Sequence, residues 1–337
     1  MRKLFIVLAA FAFMAACSMP AIAAEAEWSF YRSSRIGASA KADYIGGGFE
    51  YGTDLNLRKL FGTWKFGAGK LLVGQAHTPV DTIPSNMVWN TDDGLNSYGF
   101  AYSGRLEQIK LTVGGLEVAL IENGMTSSVA TATETDTSIA RLEASYSFKV
   151  GPVTIKPFFG YDIHDNIVAA ATTEKPYSID SSLFGAMAQF PVAAFTISLG
   201  AYSARNSGNY GLGEDAPNFT IAGTSYSIAN AFHNTTTDSI GDVTSRGSAL
   251  VVNYKASDMI TVEGGYSFIH NEIDQNGVRT EAQANFFYIQ APITLAKDVW
   301  IIPEFGTIDY GDLKMTGTAD TKLGDISYYS AKWEIRF

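Results

Sequence analysis

The chain has 337 residues, 34 Asp plus Glu against 24 Lys plus Arg, a formal charge of −10, one Cys, and abundant Gly, Phe and Tyr. That acidic balance argues against a nucleic-acid partner, whose phosphates need Lys and Arg, and a single thiol rules out a disulfide framework. Scarce Pro, no long helix-forming runs and no apolar stretch of spanning length after residue 24 exclude a helical membrane bundle and favour many strands.

The first element is a leader. Arg2 and Lys3 precede an apolar run over residues 4–16, and Pro20 with Ala21-Ile22-Ala23 supplies a break and a small-residue cleavage site. Residues 1–23 therefore read as a signal peptide, too short in their apolar run for a spanning helix of about 20 residues. Cys17 is the alternative, as a lipid-attachment site, but Met14 stands where such leaders usually have Leu. Cleavage after Ala23 leaves residues 24–337 as one mature domain with no thiol, so neither disulfides nor Cys-metal sites contribute.

From Trp28 onward the chain divides into segments of about ten residues with period-two alternation, the pattern of a transmembrane barrel. Ala140, Leu142, Ala144, Tyr146, Phe148 and Val150 alternate with Arg141, Glu143, Ser145, Ser147 and Lys149. After the turn Gly151-Pro152, Val153, Ile155, Phe159 and Tyr161 oppose Thr154, Lys156, Asp162 and His164. The same reading sets Phe195, Ile197 and Leu199 against Thr196 and Ser198, Tyr266 and Phe268 against Glu263 and Ser267, and Ala282, Ala284, Phe286 and Tyr288 against Glu281, Gln283 and Asn285. The last segment, 326–337, puts Tyr329, Ala331, Trp333, Ile335 and Phe337 on one face and Tyr328, Ser330, Lys332, Glu334 and Arg336 on the other. In a membrane barrel the oily face meets lipid and the ionic one lines a lumen; in a soluble sandwich the ionic face meets water.

Connections alternate in length. Short links at 114–115, 151–152, 191–193 and 257–258 alternate with long polar stretches at 123–136, 165–176, 206–239 and 310–324. Short turns on one side and long loops on the other are the habit of outer-membrane barrels, and 206–239 reads as an elaborate surface loop. The expected fold is an all-β, antiparallel transmembrane β-barrel of about sixteen strands, with fourteen and eighteen as alternatives, because the short segment 25–42 leaves the parity of the count open.

The stretch 34–123 resembles the N-terminal third of bacterial general diffusion porins, and more closely the porin-like outer-membrane proteins of sulfate- and metal-reducing bacteria. The residues that carry the likeness are Ser34-Arg35-Ile36-Gly37, Gly47-Gly48-Phe49-Glu50-Tyr51-Gly52, Gly62-Thr63-Trp64, Phe66-Gly67-Ala68-Gly69, Val73-Gly74-Gln75 and Gly114-Gly115-Leu116. Such porins usually carry a full strand and loop before the Ser-Arg-Ile-Gly segment; here Trp28-Ser29-Phe30-Tyr31 runs almost directly into it. The resemblance implies a homotrimer in a lipid bilayer bearing lipopolysaccharide, and an aromatic terminal Phe337 read by the barrel-assembly machinery. It also implies that residues 78–105 fold back into the lumen as a constriction loop. That stretch has Pro79 and Pro84 to break pairing, Asp81, Asp92 and Asp93 for charge, and Met87, Val88 and Trp89 to pack on a wall. Basic partners on the facing strands are Arg35, Lys59, Lys65, Arg105, Lys110 and Arg141, either as a transverse field across the opening or as ordinary wall salt bridges.

Little points to catalysis. The four His are His77, His164, His233 and His270, none accompanied by a Gly-x-Ser-x-Gly elbow. No His pair stands at metal-ligand spacing and no calcium-type loop is complete, so no cofactor and no metal are expected. The expectation is a passive, non-enzymatic diffusion channel for small hydrophilic solutes and ions; a substrate-selective channel and a structural or adhesive barrel are the alternatives.

Overall fold

The computed structural model describes residues 25–31, 35–41, 44–51, 56–89, 94–96, 98–122, 132–136, 140–170, 173–212, 218–221, 224–227, 229–234, 239–275 and 278–335. The expected leader 1–23 and the terminal Phe337 lie outside them.

Period-two sequences rich in Val, Ile, Thr, Tyr and Phe form antiparallel strands, and each long strand pairs with the next long one in the chain. The ladders run unbroken from Glu25–Tyr31 and Arg35–Lys41 through Gly69–His77, Arg105–Val113 and Val243–Lys255 to Val299–Asp309 and Asp325–Ile335. The first and last strands touch, so the sheet curls round on itself. Among the described residues no helix is long and apolar enough to cross a membrane, a statement that does not bear on strands.

The expected count of sixteen is corrected. Arg141–Tyr146 continues into Phe148–Val150, Val278–Gln290 into Ile293–Ala296, and Val299–Asp309 into Asp312–Met315; with these joined, the sheet has 18 strands among the described residues. The additional two are Ala132–Asp136 and Thr321–Lys322. Both fall within stretches read from sequence as loops, because short polar Thr-rich runs carry no alternation until a neighbouring ladder offers them partners. For the same reason the expected loop at 165–176 is largely a hairpin of two long strands, Val153–Ala170 and Thr173–Val192, whose register holds from Thr154–Gln189 to Ala170–Thr173.

Short turns behave as expected. Gly67, Gly114 and Gly151 take positive φ at two-residue links, as do Ala193 and Asp298, matching the twist of the strands they join.

The face assignment holds for most strands. In Asp325–Ile335, Tyr329, Trp333 and Ile335 are exposed while Tyr328 and Glu334 are buried. Arg141, Glu143 and Ser145 turn inward while Leu142 and Tyr146 turn out. One strand inverts it. In Val278–Gln290, the row Ala282, Ala284, Phe286 and Tyr288 is the inward face, Phe286 at 1% exposure, and Phe287 and Ile289 are exposed on the outside. Alternation alone identifies two faces but not which is inner, and here an apolar body fills the interior.

The outward apolar face gives a direct test. Leu199 and Leu250 stand opposite each other in the ladder and both are exposed. If that face meets acyl chains, Leu199→Lys will cost roughly 2–4 kcal/mol in reversible unfolding from lipid, whereas an exposed site on a soluble sheet would lose less than about 0.5 kcal/mol. Urea titration of vesicle-folded protein measures the difference.

Candidate functional site

The body that fills the interior is the connection 78–104, between Gly69–His77 and Arg105–Val113. Thr78, Val80, Met87, Leu95, Tyr98, Phe100 and Ala101 are all buried, which a 27-residue link achieves only by lying inside the curled sheet. Its apolar side chains divide between two seats. Met87, Leu95, Tyr98 and Phe100 join Val251, Ile269, Phe286, Tyr288 and Ile308 of the wall. Val80 and Ala101 join Phe158, Leu183, Tyr202 and Ala204. Gly99 lies flat on the wall: at φ +124 a Cβ there would sit 2.7 Å from the carbonyl oxygen of Ser248.

An irregular segment carries unpaired backbone N–H groups, and inside the sheet these need acceptors. Wall carboxylates supply them. Glu304 accepts from the N–H of Val88 at 2.7 Å and of Trp89 at 3.1 Å, and from the hydroxyl of Tyr328 at 3.0 Å. Glu263 accepts from the backbone N–H and side-chain amide of Asn86, both at 2.8 Å, and from Tyr288 and Gln290. Glu143 accepts from Val80 N–H and Ser103 Oγ, both at 3.2 Å, and from Tyr210 Oη at 2.8 Å. Charged acceptors make the stronger class of hydrogen bond, so three carboxylates fasten the segment along its length.

Asp81 closes the base of the segment on itself. It accepts from Ser103 N–H at 2.7 Å and Gly104 N–H at 3.3 Å, and lies 3.0 Å from His77 Nδ1. Lys156 and Lys110 donate to the carbonyls of Asp81 and His77, both at 2.9 Å.

The other residues singled out from sequence fall in different places. Asp92 and Asp93 lie outside the described residues, as does the side chain of Arg35. Lys59 stands across the ladder from Glu50, which also takes Arg58, each contact 2.7 Å. Lys65 faces Lys70 across the ladder beside the 67–68 turn. Lys110 is inward, 3.8 Å from Glu117. Arg141 is inward but locked: it lies 3.7 Å from Glu143, 3.4 Å from Asp162 and over the ring of Tyr210. Arg105 shares its strand face with the exposed Ile109, Leu111 and Val113, so it does not oppose the inserted segment; parity, counted from an end not fixed by sequence, had placed it inside. Sequence reasoning did not single out Glu263 or Glu304 as a site residue because each is one carboxylate in a strand among glycine and apolar neighbours, and nothing local marks it as facing a distant loop.

The stretch read as a surface loop, 206–239, is corrected at its described parts 206–212 and 229–231. Asn206, Ser207, Asn209, Tyr210, Leu212, Ala229 and Ala231 are buried, and Tyr210 and Leu212 join the second apolar seat. A Tyr-Gly-Leu core inside a polar stretch was the available sign. Burial and the neighbouring charge of Glu143 hold the Tyr210 phenol well above its ordinary range, so it remains the donor. Among the described residues no group of His, Cys, Asp and Glu gathers as a metal site.

The sequence matches no protein-family model and no curated protein. Solved structures do resemble the fold. OmpT, an outer membrane protein of Vibrio cholerae, aligns over 95% of this chain and 99% of its own at 13% identity and a TM-score of 0.59. The outer membrane channel DcaP of Acinetobacter baumannii aligns over 90% of this chain and 85% of its own at 13% identity and a TM-score of 0.62. A trimer form of the Vibrio cholerae OmpT aligns over 94% of this chain and 100% of its own at 14% identity and a TM-score of 0.58.

Proposed function

We propose that this chain, which has the fold of outer-membrane barrels, is a water-filled diffusion channel of a Gram-negative outer membrane. The observation that carries this reading is the segment 78–104, seated inside the curled sheet and fastened by Glu143, Glu263 and Glu304. An apolar outer face with exposed Leu111, Leu199 and Trp333 suits lipid. A segment that fills part of an enclosed interior and leaves Lys59, Lys110, Glu117, Lys332 and Glu334 on the inner faces of other strands narrows an aqueous passage without closing it. Small hydrophilic solutes and ions pass by diffusion, and no chemical step is involved. Asp92, Asp93 and Arg35 complete the constriction in this reading, with the sheet ends closing the barrel and a homotrimer as the assembly, as in the trimer form of the Vibrio cholerae protein.

A substrate-selective channel is the second reading. Trp89 stacks on Tyr328 with centroids 4.3 Å apart, and Tyr310 packs beside the same cluster, an aromatic surface on which a sugar ring could lie.

Planar-bilayer recording under a salt gradient tests both. Ohmic steps with a defined reversal potential and no block by any one solute are the expected result. Block by one solute class moves the assignment to selective transport, and silence overturns the channel.

A further inference from the structure

Asn206 ties the start of the second inward segment to the wall. Its side-chain amide donates to Asp180 O and Asp242 Oδ1, and its Oδ1 accepts from Val243 N–H, all at 2.8 Å. The helical turn Ser207–Tyr210 then enters the interior, with Ser207 Oγ 2.6 Å from Ser245 Oγ. Its two arms are joined: Gly208 N–H donates to Ala229 O at 2.8 Å and Ala231 N–H to Asn209 Oδ1 at 2.6 Å. A Cβ on Gly208 would lie 2.3 Å from Asn230 Oδ1, so a side chain there would push that amide aside.

At the end of this turn Tyr210 touches three bodies at once. Its ring carries the Arg141 guanidinium 4.4 Å from its centroid. Its hydroxyl fills the place of a missing side chain on Gly160, where a Cβ would be 1.8 Å from the oxygen. It packs with Val80 and Ala101 of the first segment, and it donates to the Glu143 carboxylate that receives Val80 N–H and Ser103 Oγ. That carboxylate thus receives groups from both segments.

We propose that residues 206–212, with 229–231 joined to them, form a second inward fold and that Tyr210 is the positioning residue through which it holds 78–104 in place, so that two segments set the width of the passage. This rests on the channel reading for its consequence, though not for its geometry. A tyrosine that merely filled the core would lose nothing on removal of its hydroxyl; a positioning tyrosine would.

The test uses the full chain with Cys17→Ala and Ala101→Cys, which places one thiol at the buried junction. In this background Tyr210→Phe keeps the ring and removes the hydrogen bond, and Gly160→Ala displaces the hydroxyl by a substitution made in the wall. Each is expected to speed labelling by a charged methanethiosulfonate roughly tenfold, the factor that loss of one hydrogen bond to a charged group represents, and to raise single-channel conductance. Heat-modifiable migration will be unchanged. Labelling rates equal to the parent in both variants overturn the proposal. Absence of conductance in the parent overturns the channel reading alone, since labelling still decides the positioning role.

Discussion

Replacing both wall carboxylates, Glu263→Ala with Glu304→Ala, will lift residues 83–89 from the wall and raise single-channel conductance several-fold, while the detergent-extracted protein keeps its heat-modifiable migration. Three backbone N–H groups, those of Asn86, Val88 and Trp89, lose their acceptors together. Each hydrogen bond to a charged group is worth about 1.5–3 kcal/mol, so the loss is several kcal/mol. Against it stands the burial of Met87, worth roughly 1.5–3 kcal/mol. The carboxylates therefore decide the position of this stretch, whereas Leu95, Tyr98 and Phe100 keep the remainder seated in their own cluster. Single substitutions should give intermediate conductances with more frequent transitions. A double variant with the parent's conductance and reversal potential would show that the stretch does not border the passage.

Gly99→Val will unseat the other half of the segment without altering any charge. The backbone there lies at φ +124, a region that a β-branched residue avoids at a cost of about 1–3 kcal/mol. The first added carbon would meet Ser248 O at 2.7 Å and Ser267 Cβ at 2.8 Å, and both belong to wall strands held by long ladders on either side. A rigid wall and a weakly held loop share strain unequally, so the loop moves. Tyr98 and Phe100, anchored on either side of Gly99, leave Phe286 and Val251. Conductance should increase, with the urea midpoint of the folded wall nearly constant. An unchanged conductance with a lowered midpoint would mean that the strain had passed into the sheet and that the segment cannot move independently.

Much of the wall was legible because a strand writes its two faces into the sequence at every second residue. Arg141, Glu143 and Ser145 inside, with Leu142 and Tyr146 outside, needed nothing beyond that rule. The rule failed where the identity of the faces depended on a distant body. Ala282, Ala284, Phe286 and Tyr288 look like lipid-facing residues until Met87 and Tyr98 are found on the same side. The inward course of 78–104 was expected from the likeness to porins, and Pro79, Pro84 and the apolar Met87-Val88-Trp89 agreed with it. Its attachments were not legible, since Glu143, Glu263 and Glu304 lie 63, 177 and 216 residues from the groups they receive.

What the sequence determined by itself was the alternation that makes strands, the glycines that make short turns, and the presence of a long interrupted segment between Gly69–His77 and Arg105–Val113, all of them consequences of local backbone geometry. Tertiary structure alone decided which oily row faces inward, that Tyr210 and Leu212 are buried beside the inserted segment, and that buried carboxylates hold that segment. Those outcomes turn on which unpaired N–H group meets which acceptor once the sheet has curled. Such meetings depend on enclosure, and enclosure has no local signature.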